Sequence, residues 1–289
     1  MLYLTLRQYE YIIGIAEAGS LTKAAATLNV SQPSLSVAIT RVEARLGAAI
    51  FARGKGASIT ITPFGHGLIA NARKVLDMAT AIERKQDAQP IFTLGCFEDL
   101  APWFLAPAMA TLSKRFPETS FKSAEGRFAS ISSDLAEGRM DLAICYDVGF
   151  DAAFQRRVIK SAQPVAFLSP DNPLSDRASL ELDEVARHPV ILFSEGRSDA
   201  HMRDLFAQEH LAPTVCQQVT SLELMRSLAA YGGGIGISYA RPPSDITYDG
   251  KPLVTIPIVT PAARSDIVLV WSALRERDAQ FDAIVDMLS

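Results

Sequence analysis

The sequence predicts an α/β protein led by a helical head and a short β-hairpin, and three observations carry that expectation. Residues 4–46 keep a helical period with two short breaks, residues 50–62 alternate apolar and polar side chains around Gly54-Lys55-Gly56, and from Ile91 onward β-rich runs alternate with helical stretches. A chain of 289 residues is long enough for two or three compact units. Its 48% hydrophobic and 21% charged residues are those of a folded globular protein, which excludes a mainly disordered or collagen-like chain.

Each element follows in order. Breaks near Gly19-Ser20 and at residues 29–33 divide the head into three helices. In the second, Leu21, Ala25 and Leu28 share an apolar face, and Asn29 suits the left-handed turn that ends it. Ser31 is placed as N-cap of the third helix, with Pro33 in the first turn, where a missing N–H costs nothing. Leu35, Ile39 and Val42 then face inward, leaving Gln32, Ser34, Ser36 and Arg41 for other surfaces. Three helices followed by a basic-tipped hairpin give a winged helix-turn-helix outline. Residues 64–85 turn helical again, and Leu68, Ala72, Val75, Ala79 and Ile82 recur at spacings of four and three, a seam that asks for a partner helix. A polar break at 87–90 follows. Beyond it, strands are predicted near 92–96, 120–124, 142–145, 165–168, 190–193, 215–219, 235–238 and 267–271. Helices are predicted near 102–115, 131–137, 200–209, 222–231 and 278–288, an alternation that predicts right-handed βαβ units and parallel sheets.

Charge and composition narrow the function. The net charge is −4, yet residues 1–60 are net +3 and residues 1–88 net +4, which leaves −8 for the remainder. The positive field is confined to one end, a hint of a polyanion-binding head on a body with another task. No apolar run approaches the 18 or more residues of a membrane span, and the first ten residues lack a leader pattern, so a cytoplasmic protein without a membrane partner is expected. Cys96, Cys145 and Cys216 are odd in number and far apart, which argues against a disulfide framework and predicts buried small hydrophobes. His66, His188, His201 and His210 lack metal-ligand spacing, no G-x-S-x-G elbow supplies a nucleophile, and neither metal nor cofactor is expected. Gly232-Gly233-Gly234-Ile235-Gly236 follows a helix and precedes a strand, the reverse of the nucleotide-binding order, and reads as a helix C-cap.

The stretch from Ser20 to Ser36 is the informative one. A helix led by Gln, Ser and Ser, with no acid before Glu43, can enter a major groove, since short polar side chains reach base edges and phosphates without repelling them. The alternative is an ordinary three-helix subdomain with solvated polar residues.

The residues Leu6-Arg7-Gln8-Tyr9, Ala18-Gly19-Ser20-Leu21-Thr22-Lys23-Ala24-Ala25, Ser31-Gln32-Pro33-Ser34-Leu35-Ser36, Glu43, Leu46-Gly47, Ile50-Phe51, Arg53 and Thr62-Pro63-Phe64-Gly65 together resemble the N-terminal signature of LysR-type transcriptional regulators. Weaker cues at Arg115-Phe116-Pro117, Asp141-Leu142-Ala143-Ile144 and Gly232 to Gly236 extend the likeness over nearly the whole chain. The resemblance implies a winged helix-turn-helix at 1–62, a dimerising linker helix and hinge at 63–89, and a periplasmic-binding-protein-like α/β effector domain at 90–289. The latter would have two lobes, about 90–162 with 266–289, and about 163–265. It further implies a homodimer or homotetramer on double-stranded promoter DNA, with a small effector in the cleft. By position, Ser31, Gln32, Pro33, Ser34, Ser36 and Arg41 belong to the DNA-reading helix and its cap, and Arg53 to the wing; Lys55 is added on charge alone. Phe64 replaces the small residue usual there.

In parallel sheets ligands sit beyond the carboxyl ends of the strands, which nominates Phe97, Glu98, Asp99, Ser130, Tyr146, Phe193 and Thr220. Glu98 beside those aromatics suggests a cationic or donor-rich effector, or else is a surface carboxylate. Asp99 either joins the site or N-caps the helix led by Pro102, and Ser130 and Thr220 either bind ligand or cap helices. A free-standing small-molecule binding protein would leave residues 1–88 unexplained, and an enzyme would need an acid, base or nucleophile set that the sequence does not display.

Overall fold

The computed structural model describes residues 4–53, 59–83 and 91–289. Helix α1 (Leu6–Ala18) begins in a capping box: the Thr5 hydroxyl accepts from the Gln8 N–H and the Gln8 side chain accepts from the Thr5 N–H, satisfying two N–H groups that otherwise lack partners. It ends at Gly19, whose φ of +61° is the left-handed cap. Helix α2 (Leu21–Thr27) gives way to Asn29 at φ +54°, and α3 (Gln32–Leu46) starts from Ser31, whose side chain accepts from the Ser34 N–H. Ile12, Ile15, Leu35, Ile39 and Val42 close the core of this head.

Strands β1 (Phe51–Arg53) and β2 (Ile59–Ile61) form the antiparallel wing. Glu43, which the sequence marks without explaining, turns its carboxylate to the Ile50 and Phe51 N–H groups at 2.8 and 3.1 Å, fastening α3 to the wing. Gly65 is equally determined, since a Cβ there would collide with the Ile50 carbonyl. It lies in the first turn of the long helix α4 (Pro63–Glu83).

Beyond α4, strands β3 (Ile91–Phe97), β4 (Ser120–Gly126), β5 (Leu142–Tyr146), β6 (Phe154–Ala162) and β12 (Ser265–Ser272) make a sheet ordered β4-β3-β5-β12-β6. Helices α5 (Ala101–Arg115), α6 (Phe128–Ala136) and α10 (Ala279–Leu288) pack on it. A second sheet is ordered β11-β7-β10-β8-β9, from β7 (Val165–Leu168), β8 (Val190–Phe193), β9 (Val215–Val219), β10 (Ile235–Ser238) and β11 (Val254–Pro257). It carries α7 (Leu182–Ala186), α8 (Gly196–Gln208) and α9 (Leu222–Ala230). The chain passes from the first sheet to the second after β6 and returns before β12, so two lobes arise from one continuous path.

Three expectations need correction. The sheets are mixed, not parallel: β12 runs antiparallel to β5 and β6, and β7 antiparallel to β10 and β11. The strands that sequence reading passed over are edge strands. β6 is solvated along most of its length, and β11 is four residues long and ends in Pro257, so neither shows an apolar run. Cys96 and Cys145 are buried as expected, whereas Cys216 is exposed because β9 is also an edge.

Candidate functional site

At the head, Ser31, Gln32, Pro33, Ser34 and Arg41 are exposed and Ser36 is half-buried, together forming the start and one flank of α3. The Ser34 hydroxyl lies 2.7 Å from that of Ser31, so Ser31 and Ser34 stiffen the first turn while Gln32 stands free at its tip. Glu43, the first acid along α3, is bonded to the wing backbone and adds no repulsion at that end. Arg53 closes β1; Lys55 lies outside the described residues.

The seam on α4 divides in two. Ala72 is buried and Leu68 half-buried against Ile69 and the head's own core, because this face of α4 packs on α1. Ala72 is thereby removed from any surface shared with a partner, while Leu68 keeps part of its side chain at the surface. Val75 and Ile82 remain exposed at 42% and 68%, with Met78 at 59% and Ala79 half-buried.

In the body, the carboxyl ends of β3, β5, β8 and β10 converge on a narrow inner chamber of about 50 Å³. Phe97, Tyr146, Phe193 and Asp99 line it, four of the nominated residues. The structure adds Phe128 at the start of α6, Ser198, His201 and Met202 from α8, and Ser238-Tyr239 at the end of β10. Ring contacts tie the lining together: Phe97 to Phe128 at 4.7 Å, Phe97 to Tyr146 at 5.6 Å, Tyr146 to Tyr239 at 5.8 Å. The His201 Nε2 lies 3.3 Å from the Tyr239 hydroxyl, and burial lowers the imidazole's pKa, favouring the neutral ring. Burial also drives the Tyr146 and Tyr239 phenols up, so both stay protonated.

Asp99 stands where this chamber meets a wider outer one that Trp103, Thr220, Pro242, Ile246 and Tyr248 border. It is not the N-cap of α5; Leu100 holds that position and no side chain caps the helix. Burial, and then the neighbouring Glu98 charge, push the Asp99 carboxyl from its ordinary 3.8 up to about 7, against the opposing pull of Arg127. Glu98 itself offers no free charge to an effector. Its carboxylate accepts from the Arg127 Nε at 2.9 Å, and the same guanidinium donates through Nη2 to the Thr220 carbonyl at 2.7 Å. Arg127 thus clasps the two lobes. Ser130 turns away from the chambers and bonds the Arg127 backbone N–H and carbonyl, the capping role left open by the sequence. A second cross-lobe bond joins Arg197 of α8 to the Ser132 hydroxyl at 3.2 Å.

The sequence offered a signal for two of the missed residues. Tyr239 follows the carboxyl end of β10, a strand its apolar run predicts, and His201 lies in a predicted helix without metal-ligand spacing. Arg127 and Arg226 carry no pattern of their own. Arg226, 2% exposed, pairs with Glu223 at 2.6 Å and donates to the Ser244 and Ile246 carbonyls, holding the wall of the outer chamber.

A winged helix-turn-helix carried by a long helix, with a two-lobed body around a ligand-sized cleft, defines a DNA-binding regulator that senses a small molecule. Comparison with known proteins supplies the family: residues 6–66 match "Bacterial regulatory helix-turn-helix protein, lysR family" and residues 85–289 match "LysR substrate binding domain". The chain belongs to the LysR family of transcriptional regulators and is not an enzyme. It is similar to the uncharacterized HTH-type transcriptional regulator YnfL of Escherichia coli, with 27% identity over 282 residues that cover 94% of this chain and 93% of that one. The DNA-binding transcriptional dual regulator OxyR of the same organism is 26% identical over 289 residues, 96% and 93% of the two chains. Among solved structures, HinK, a LysR family regulator from Pseudomonas aeruginosa, superposes with a TM-score of 0.64 at 27% identity, covering 98% and 97%.

Proposed function

We propose that this regulator works in the cytoplasm as a homodimer or homotetramer on promoter DNA, with residues 1–62 reading the duplex, 63–89 joining copies, and 90–289 sensing the effector. The observation that carries the DNA-reading assignment is the exposed Gln32-Pro33-Ser34 turn of α3, free of acidic side chains because Glu43 is spent on the wing. Gln32 supplies a side-chain amide suited to a base edge, Ser36 and Arg41 flank it toward phosphates, and Arg53 with Lys55 extends the contact along the wing. The exposed Val75, Met78 and Ile82 stripe is the contact between copies, since it continues past the point where α4 leaves its own head. The effector occupies the cleft that the Arg127 clasp spans.

A gel shift with the DNA upstream of the regulator's own gene tests the assignment. Retardation that weakens steeply with salt is expected, and Arg53→Ala should flatten the slope by about one counterion per contact. No retardation at low salt would overturn it.

A further inference from the structure

We propose, resting on the reading that the effector occupies the cleft, that the inner chamber takes a small arylalkylamine: its ring lies among the aromatic side chains and its ammonium N–H donors meet Asp99 and the Tyr146 hydroxyl.

Three observations carry this. First, no Lys or Arg among the described residues lines the inner chamber, so a carboxylate or phosphate placed there would be buried without a cationic partner, a costly arrangement. His201 does not supply the missing cation, because burial favours its neutral form and its Nε2 already faces Tyr239. Arg127 and Arg226 border the outer chamber and are engaged, the one with Glu98 and Thr220, the other with Glu223. Secondly, the Tyr146 hydroxyl is buried and has no hydrogen-bond partner, on a residue only 6% exposed that lines the chamber. An orphaned buried hydroxyl is a bond waiting for a ligand atom. Thirdly, the Asp99 carboxylate accepts no hydrogen bond among the described residues. Phe97, Phe128, Phe193 and Tyr239 supply the ring contacts, and ammonium groups are favoured near such faces.

The groups facing Asp99 give the site a pH signature. Glu98 from its own loop and burial raise the carboxyl's pKa, and Arg127 from the head of α6 opposes them. Tyr146 from β5 and, across the chamber, His201 and Tyr239 are uncharged at neutral pH by the same burial. A cationic amine therefore displaces the proton from Asp99, so its affinity rises with pH up to about 7 and levels off above.

Calorimetric titration of the full chain with matched pairs, tyramine against 4-hydroxyphenylacetate and benzylamine against benzoate, tests the proposal at pH 6 and pH 8. Amines are expected to bind at least about tenfold more tightly than their carboxylate counterparts and more tightly at pH 8. Asp99→Asn should cost about tenfold in amine affinity and Tyr146→Phe several-fold. Preference for the carboxylates, amine affinity indifferent to Asp99→Asn, or no binding by either series at millimolar concentration overturns the amine. Should carboxylate binding still weaken in Tyr146→Phe, the cleft stands and only the ligand class falls; ligand heats that ignore both variants remove the cleft as well.

Discussion

Asp99→Asn should stabilise the protein at pH 8 and do almost nothing at pH 4. The carboxyl is pushed from 3.8 up to about 7 in the folded chain, chiefly by burial, while the unfolded chain restores the ordinary value. Between those two values the folded state holds one proton more than the unfolded state, so raising the pH through that window destabilises the fold by up to about 1.4 kcal/mol per unit. Over the whole window the loss is on the order of 2–4 kcal/mol, the lower figure allowing for the partial exposure of Asp99 to the outer chamber. Below the window both states are protonated and above it both are ionised, so the contribution is flat on either side. An amide cannot ionise, and Asp99→Asn removes the penalty. For a unit of about 200 residues, 1 kcal/mol moves the melting temperature by roughly 2–4 °C, so the variant should melt several degrees higher than wild type at pH 8. Calorimetric melting of both proteins from pH 4 to pH 8.5 reads the effect as a gap that opens with pH. Parallel curves, or a variant that melts lower at pH 8, would refute the placement of an unpaired buried carboxylate at the mouth of the inner chamber.

The other expectations follow from the head, the seam and the clasp. Gln32→Ala should cost about 1–3 kcal/mol at one base pair per half-site and relax the preference there; equal losses on specific and random duplexes in a competition shift would make Gln32 a phosphate contact or a structural residue. Val75→Glu should split the oligomer without unfolding the chain, because Val75 is already 42% exposed within it. Light scattering that reports an unaltered mass would move the interface elsewhere, and Ala72→Glu, at a buried position of the head, should instead unfold that head. Arg127→Met removes two charge-assisted hydrogen bonds, one to each lobe, and should loosen the cleft by about 1–2 kcal/mol given their partial exposure. Hydrogen exchange that stays equally slow in the segment after Val219 would show that the lobes are held by other contacts.

How much of this was legible in the sequence depended on whether a residue acts locally or across the chain. The Ser31 cap, the left-handed Asn29, and the three helices bounded by the breaks near Gly19-Ser20 and at 29–33 are local, and the sequence displays them. Strands with apolar cores were legible as well; β6 was not, because an edge strand shows solvent along most of its residues. Phe97, Tyr146 and Phe193 could be nominated because a strand's carboxyl end is a place definable in one dimension. Glu98 could be nominated for the same reason, but its partner could not: Arg127 lies 29 positions away, and the Thr220 carbonyl that it also holds lies 93 further on. A carboxylate that looks free in a sequence is often one whose arginine has not been found. The seam at 64–85 fails in a related way, since a heptad-like pattern states that a face is apolar without stating whether it meets another chain or, as for Ala72, its own domain.

That division of α4 bears on how sensing reaches DNA. One face of the helix is locked into the head through Ile69 and Ala72, and the Ala70 side lies so close to α6 that a Cβ at Gly138, where φ is +68°, would come within 2.5 Å of the Ala70 Cβ. Burial, and then the neighbouring charge of Arg275, itself ion-paired with Asp141, lower the Lys74 pKa. The lobe built on the first sheet is therefore in contact with the same helix that carries the reading head, while the second lobe is tied to the first by Arg127 and Arg197. A ligand in the inner chamber touches residues of both lobes, so its differential affinity for open and closed cleft is set by how many of those contacts survive opening. Any shift of the first lobe against α4 would separate Gly138 from Ala70, and α4 in turn packs on α1, which packs on α3, so the contacts between sensing lobe and reading head form one continuous series.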